Sequence, residues 1–249
     1  FERWDPARKI NTMFWPQGEG DYRMQNPYWI AYRNLRLNQK KRYMLSAQLS
    51  YDITDWLNIS GRVRVDNTHT KYEQKLYASS NLTITEESTQ GHYTISKPDE
   101  TQTYADVLAN INKRFNDFSL VANVGASIVN NRYEDLSYRG PIREKGIPNV
   151  FNVFDLDNTK KKARQDEWQE QTQSVFASVE VGWKSMLYLT LTGRNDWASQ
   201  LANSSTPCFF YPSVGLSGAI SEMLTLPEFI DYMKVRGSFS SVGMPYPRN

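Results

Sequence analysis

The chain has few of the residues and motifs on which catalytic and redox sites depend. Of its 249 residues, one is a cysteine and two are histidines. Cys208 alone excludes an internal disulfide. His69 and His92 lie far apart, without the H-x-x-H spacing of a metal site. P-loop, G-x-S-x-G and G-x-G-x-x-G motifs are absent as well. We therefore expect no enzymatic activity, no catalytic residue, no metal site and no cofactor.

Long apolar runs and a strong net charge are also missing. No stretch of about 18 apolar residues occurs, which excludes a protein that crosses a membrane as helices. The formal net charge is +2, so we expect no nucleic-acid partner. The mean hydropathy of −0.64 is typical of a soluble protein. It is equally compatible with a membrane barrel, in which only alternate strand residues need be apolar.

What the sequence does contain is strict alternation of apolar and polar residues. The segment 56–66 places apolar residues on one face of a strand and polar residues on the other. Its apolar face carries Leu57, Ile59, Val63 and Val65. Such a face can pack on the core of a soluble protein, or it can meet lipid in a barrel whose lumen is polar.

Similar strands come in pairs along the chain. The predicted hairpins cover about 43–66, 103–131, 173–197 and 209–243. Their own turns are mostly short, whereas the segments between hairpins are long, polar and predicted as loops: 67–102, 132–172 and 198–208. Short turns at one rim and long loops at the other are typical of outer-membrane barrels. The pattern predicts an all-β fold, an antiparallel up-and-down β-barrel segment of about eight strands with long loops on one side.

Charged residues on the predicted polar faces are candidates for lining a lumen. They are Arg62, Arg64, Glu180, Arg194 and Asp196. Arg194 and Asp196 are two positions apart on one strand, so they share a face. For them we favour ion pairing with charges on neighbouring strands over direct contact with a substrate.

Aromatic residues in the connecting segments form a second set of candidates. Aromatic faces can stack on sugar rings, but the same residues can anchor loops or contact a partner protein. The candidates for contact with a glycan or a partner are Trp15, Tyr28, Trp29 and Trp168.

Five segments resemble a known family. The stretches "NPYWIAYRN", "SAQLSYDITDWLNISGRV", "LTGRNDWASQL", "FFYPSVGLSGAISE" and "MKVRGSFSSVG" are similar to the SusC/RagA-type TonB-dependent outer-membrane transporters of Bacteroidetes. The resemblance implies a piece from the middle of a transmembrane barrel of about 22 strands. It also implies outer-membrane lipid, a SusD-like lipoprotein and the TonB complex as partners of the full-length protein. A plug and an N-terminal region belong to that family, and we expect both to lie outside 1–249.

The preferred hypothesis is therefore part of a TonB-dependent outer-membrane importer of nutrients. The expected substrates are oligosaccharides, or else peptides, and the segment would supply barrel wall and lumen lining. Two alternatives stay open at this point. One is a soluble carbohydrate-binding β-sandwich module, which would need two sheets with their apolar faces together. The other is a non-transporting outer-membrane structural protein.

Overall fold

The computed structural model describes residues 1–14, 25–224, 227 and 230–243. In chain order, they form β1 (Glu2–Asp5), β2 (Ile10–Met13), α1 (Pro27–Arg33), β3 (Asn34–Thr54), β4 (Leu57–Tyr77), β5 (Gly91–Ser96), β6 (Asp99–Phe115), β7 (Phe118–Pro141), β8 (Lys162–Trp183), β9 (Leu187–Ala198), a 3-10 helix (Ser199–Leu201), β10 (Cys208–Ala219), α2 (Ile220–Met223) and β11 (Lys234–Ser240). None of the helices in these ranges is long and apolar enough to span a membrane.

One large antiparallel sheet contains β3 to β11. Its order is β11-β10-β9-β8-β7-β5-β4-β3, and β6 also pairs with β4 and β7. Because β5 and β6 lie between the same two neighbours, they occupy one position in the sheet. The strand at this position is interrupted between β5 and β6, at Pro98, which has no N–H to donate. The carbonyl of Pro98 still accepts a hydrogen bond from Thr70 N at 2.9 Å. The predicted fold class, an antiparallel up-and-down barrel segment, is confirmed.

The register of the sheet follows the alternation in the sequence. Val179 on β8 pairs with Leu191 on β9, and Leu191 pairs with Val214 on β10. The next row, on the opposite face, is polar and consists of Ser178, Thr192 and Ser213. A shift of one residue would mix the two faces, so the pattern specifies the register.

Several strands run further than the sequence predicted. Much of the predicted loops 67–102 and 132–172 is strand, because β4 extends to Tyr77, β7 extends to Pro141 and β8 begins at Lys162. The first strand of the large sheet also begins earlier, at Asn34 rather than at 43. The physical reason is that alternation is visible only where one face is apolar. In the strand extensions both faces carry polar residues, so the sequence resembles a loop there.

The chain divides into two compact units. Unit 1 comprises Phe1–Tyr43, Asn67–Thr101 and Tyr133–Trp168; unit 2 comprises Met44–Asp66, Gln102–Arg132 and Gln169–Asn249. Six of the eight buried hydrophobic residues among those described belong to unit 1: Trp29, Leu76, Ala78, Tyr93, Ile142 and Leu156. The two in unit 2 are Ala122 and Ala219. A conventional apolar core is therefore a property of unit 1.

Candidate functional site: the polar face of unit 2

On β8, β9 and β10 of unit 2 the usual relation between polarity and burial is reversed. Val175 and Leu191 on the apolar face are 50% and 48% exposed, whereas Ser174 on the polar face is 2% exposed. Along β10 the same reversal alternates residue by residue, and the residues between the exposed ones are partly shielded. The exposed residues are Phe210, Pro212, Val214 and Leu216. A curved sheet explains this, because side chains on its concave face crowd and shield one another.

This reversal bears on the sandwich alternative. A β-sandwich needs a second sheet against the apolar face. The described strands of unit 2 belong to a single sheet, and the other sheet of the described chain is the two-stranded β1–β2 pair, which belongs to unit 1. Within the described residues, unit 2 therefore has no second sheet of its own to cover its apolar face.

The first cluster on the polar face surrounds Tyr104. The guanidinium of Arg62 donates to the carboxylate of Asp106 through Nε at 2.9 Å and lies within 2.8 Å of it through Nη2. The Cζ atoms of Arg62 and Arg64 each lie 5.3 Å from the centroid of the Tyr104 ring. Both arginines predicted to share a face therefore meet the same aromatic residue, and Arg62 is also bound directly to a carboxylate.

A row of hydrogen bonds crosses the sheet next to this cluster. Arg64 Nη2 donates to Gln102 Oε1 at 3.1 Å, and Gln102 Nε2 donates to Asn131 Oδ1 at 2.9 Å. Asn131 Nδ2 then donates to Glu170 Oε1 at 3.3 Å, and Gln200 Nε2 donates to Glu170 Oε2. We call these five residues, Arg64, Gln102, Asn131, Glu170 and Gln200, the polar row. All of them belong to unit 2.

The remaining lumen candidates lie on β8 and β9. Arg194 Nε bonds to Asp196 Oδ1 at 2.7 Å, and Arg194 Nη2 donates to Ser174 Oγ at 2.9 Å. Glu180 accepts from Thr190 Oγ1 at 3.2 Å. Arg194 and Asp196 thus share a face as predicted, but they pair with each other rather than with charges on neighbouring strands. That all these residues line a lumen stays a prediction.

Basic and aromatic residues meet beside the short turns of unit 2. Lys113 Nζ lies 4.8 Å from the ring centroid of Trp56 and 5.2 Å from that of Phe115. At the turn between β8 and β9, Lys184 Nζ lies 5.3 Å from the ring centroid of Trp183. Amphipathic rings with snorkelling cations are typical of a membrane–water interface.

The aromatic contact candidates are placed very differently from one another. Tyr28 and Trp29 lie on α1 rather than in a loop. Tyr28 is 65% exposed and stacks on Phe1 with ring centroids 6.0 Å apart. Trp29 is 0% exposed, and its Nε1 donates to Ser80 Oγ at 2.9 Å. The suggestion that Trp29 contacts a glycan or partner does not fit this position, because neither face of its ring is accessible. Trp15 lies outside the described residues.

Trp168 lies on β8 within unit 1 and stacks on Tyr133 of β7, with ring centroids 5.5 Å apart and planes 13° apart. Half-buried and held by this stack, it stays a predicted contact residue.

Unit 1 holds buried ionisable groups that serve its packing. The Tyr93 hydroxyl donates to Glu73 Oε1 at 2.6 Å, which lowers the pKa of the Glu73 carboxyl. Burial lowers the pKa of the His92 imidazole. Across the described part of the chain, no three His, Cys, Asp or Glu side chains are grouped as a metal site would require.

Sequence reasoning missed four of the five members of the polar row and both partners of Arg62. Gln102 and Glu170 fall in segments predicted as loops, and Asn131 and Gln200 are neutral amides without a motif. Tyr104 and Asp106 do alternate with apolar residues in a predicted strand, which was the available signal. The cross-strand register that brings these residues to the arginines cannot be read from one strand alone.

Comparison with known proteins gives a consistent picture of the fold. A chain in a solved structure described as the RagAB peptide transporter is similar with a TM-score of 0.70 and 14% identity, covering 87% of this chain and 24% of that one. A second, described as the RagAB peptide importer in the open-open state, has a TM-score of 0.68, 15% identity and the same two coverages. The chain thus spans about a quarter of the length of these solved relatives.

The family follows from the sequence match. No curated protein matches the chain. The model of the family "TonB dependent receptor-like, beta-barrel" matches residues 1–245, nearly the whole chain. Together with the fold, this match confirms the resemblance to SusC/RagA-type transporters seen in the five sequence segments. The chain belongs to the TonB-dependent receptor-like β-barrel family.

Proposed function

We propose that this chain forms part of the wall of a TonB-dependent nutrient importer in the outer membrane of a Gram-negative bacterium. The observation that carries the proposal is the reversed burial on β8, β9 and β10 of unit 2, where the apolar face is more exposed than the polar face. That arrangement suits a wall between lipid and an aqueous passage. The full-length protein would act with a SusD-like lipoprotein and the TonB complex.

Strand length supports a membrane-crossing role for unit 2. A tilted strand needs about 9–11 residues to cross the bilayer. β9 and β10 have 12 residues each and suit a single crossing. β4, β7 and β8 have 21, 24 and 22 residues, so they continue well beyond the hydrocarbon. We assign the crossing parts of these strands to unit 2.

The transported nutrient would be polar, an oligosaccharide or a peptide. Hydroxyl, amide and charged groups on the polar face offer hydrogen bonds to either class, and the solved relatives are described as peptide transporters. Transport would need no covalent step from these residues. The wall would supply hydrogen bonds to a solute that diffuses through a gated passage.

Cysteine accessibility in the full-length protein tests which face meets lipid. In a background with Cys208→Ser, we would compare Leu189→Cys on the apolar face with Thr190→Cys on the polar face. A membrane-impermeant maleimide should label the Thr190→Cys variant in intact outer membranes and leave the Leu189→Cys variant unlabelled until detergent is added. Equal labelling of both in the membrane would contradict the proposed wall.

Transport itself separates an importer from a structural protein of the outer membrane. Cells that carry the full-length gene should accumulate labelled peptides or oligosaccharides, and deletion of TonB should abolish the accumulation. A structural protein would leave accumulation unchanged when its gene or TonB is deleted.

A further inference from the structure

We propose that the polar row is a binding subsite for a zwitterionic solute, with the solute carboxylate at Arg64 and its ammonium group at Glu170. This inference rests on the proposed function and specifies the substrate class of the same polar face. The occupant that fits is a short extended peptide with free ends.

The direction of the hydrogen bonds is the first argument. From Arg64 to Glu170 each donor points the same way, through the amides of Gln102 and Asn131. Gln200 donates to the Glu170 carboxylate from the other side. The part of the row from Arg64 to Glu170 therefore has a cation at one end and an anion at the other, joined by two polarised amides. Aligned hydrogen bonds of this kind strengthen one another.

The second argument is that the charged side chains at the two ends contact neutral groups. Arg64 contacts an amide and the face of a tyrosine ring. Glu170 accepts hydrogen bonds from two amides, those of Asn131 and Gln200. By contrast, Arg62 is bound to a carboxylate through two of its nitrogens. Arg64 and Glu170 thus keep charge and hydrogen-bonding capacity for a ligand.

The length of the row sets the size of the occupant. From β4 to β8 there are three steps between neighbouring strands, through β6 and β7. At the usual strand spacing these steps come to about 14 Å. An extended peptide covers about 3.3–3.6 Å per residue, so about four or five residues reach from one charged end of the row to the other.

The charges also discriminate against the other candidates. A neutral oligosaccharide has no charged group to place at either end of the row. An anionic solute would be attracted by Arg64 and repelled by Glu170. A peptide with free termini satisfies both ends, and its backbone amides can bond to Gln102 and Asn131.

The test uses the full-length protein in cells and compares pentaalanine with its N-acetylated, C-amidated form. The wild type should accumulate the free peptide in preference to the blocked one. Arg64→Gln and Glu170→Gln should each reduce this preference about tenfold, because each removes one charge while an amide remains to hold the neighbouring side chain. Uptake is normalised to the amount of protein in the outer membrane.

Arg62→Gln serves as the matched control, since it removes a guanidinium from the same strand and the same tyrosine ring but from a pair already neutralised. It should leave the preference for the free peptide intact. Equal uptake of free and blocked peptide by the wild type would overturn the inference. So would equal losses of preference in Arg64→Gln and Arg62→Gln.

The outcomes also separate this inference from the proposed function. TonB-dependent uptake of a neutral oligosaccharide with no uptake of pentaalanine would overturn the subsite for a zwitterionic solute. The proposed function as an importer would still hold. Absence of TonB-dependent uptake for every solute would overturn both.

Discussion

The two units place their apolar residues in opposite environments, although the chain passes between them several times. In unit 1, at most 1% of the surface of Trp29, Ile142 and Leu156 is exposed. In unit 2 most of the aliphatic residues of β8, β9 and β10 are exposed on one face of a single sheet. Unit 1 thus resembles a protein that folds in water, and unit 2 resembles one that needs lipid.

The difference shows that the same alternation has two uses. Burial of apolar area contributes about 25 cal/mol per Å² when water is removed from it. Unit 1 obtains this contribution from its own side chains. Unit 2 can obtain it only from a bilayer or from a further protein surface, because the described part of unit 2 offers no second layer.

The largest expected effect lies in the core of unit 1. Trp29→Ala should reduce the local stability of unit 1 by about 3–5 kcal/mol, because it leaves a cavity and an unpaired Ser80 hydroxyl. Tyr28→Ala is the matched control, since it removes an exposed ring from the adjacent position of α1 and should cost about 0.5 kcal/mol or less. Hydrogen exchange of unit 1 amides in the full-length protein measures both. Similar losses for both variants would show that α1 is not packed as described.

The next effect concerns the apolar face of unit 2. Leu191→Lys, near the middle of β9, should destabilise the full-length protein in a bilayer by about 2–4 kcal/mol. Thr190→Lys, one residue away on the polar face, should cost much less, since Glu180 is there to pair with the new ammonium group. Denaturant unfolding from liposomes measures the difference. Equal penalties would break the distinction between a lipid face and a lumen face.

One glycine in each unit allows their backbones to be compared by substitution with alanine. Gly91 in unit 1 has φ +114°, and a Cβ there would lie 2.6 Å from Leu76 O. Gly91→Ala should therefore cost about 1–3 kcal/mol. Gly237 on β11 has nothing within 4 Å of its Cβ position, so Gly237→Ala should be close to neutral. Thermal unfolding of the full-length variants distinguishes them, and a neutral Gly91→Ala would contradict the backbone described for β5.

The sequence predicted unit 2 far better than unit 1, and the reason is physical. Wherever one face is apolar and the other polar, strand, face and register follow from the period of two, as in Val179, Leu191 and Val214. Unit 1 has few such stretches. Its core is assembled from distant segments, and the burial of Trp29 against Ser80 follows from a contact between residues 51 positions apart.

In the candidate site, too, features that depend on one strand could be predicted and features that depend on strand pairing could not. That Arg62 and Arg64 share a face could be predicted, because it depends on one strand. That Arg62 meets Asp106 while Arg64 meets Gln102 depends on the pairing of β4 with β6. Glu170 was not among the predicted site residues, because β8 was expected to begin at 173, three residues after Glu170. The strand in fact begins at Lys162.

The smallest expected effect is a pH dependence confined to unit 1, which holds both histidines of the chain. Burial lowers the pKa of His92 below its ordinary 6.5, while Glu86 nearby opposes the shift and Arg139 and Lys162 add to it. The unfolded chain therefore binds a proton more readily than the folded one. The stabilising contribution is fully present above pH 6.5 and is lost as the pH falls from 6.5 through the lower pKa of the folded state.

Hydrogen exchange between pH 7.5 and 5.5, corrected for intrinsic rates, should show unit 1 losing protection relative to unit 2. In His92→Asn this relative loss should shrink, and an unchanged loss would assign the pH dependence to another group.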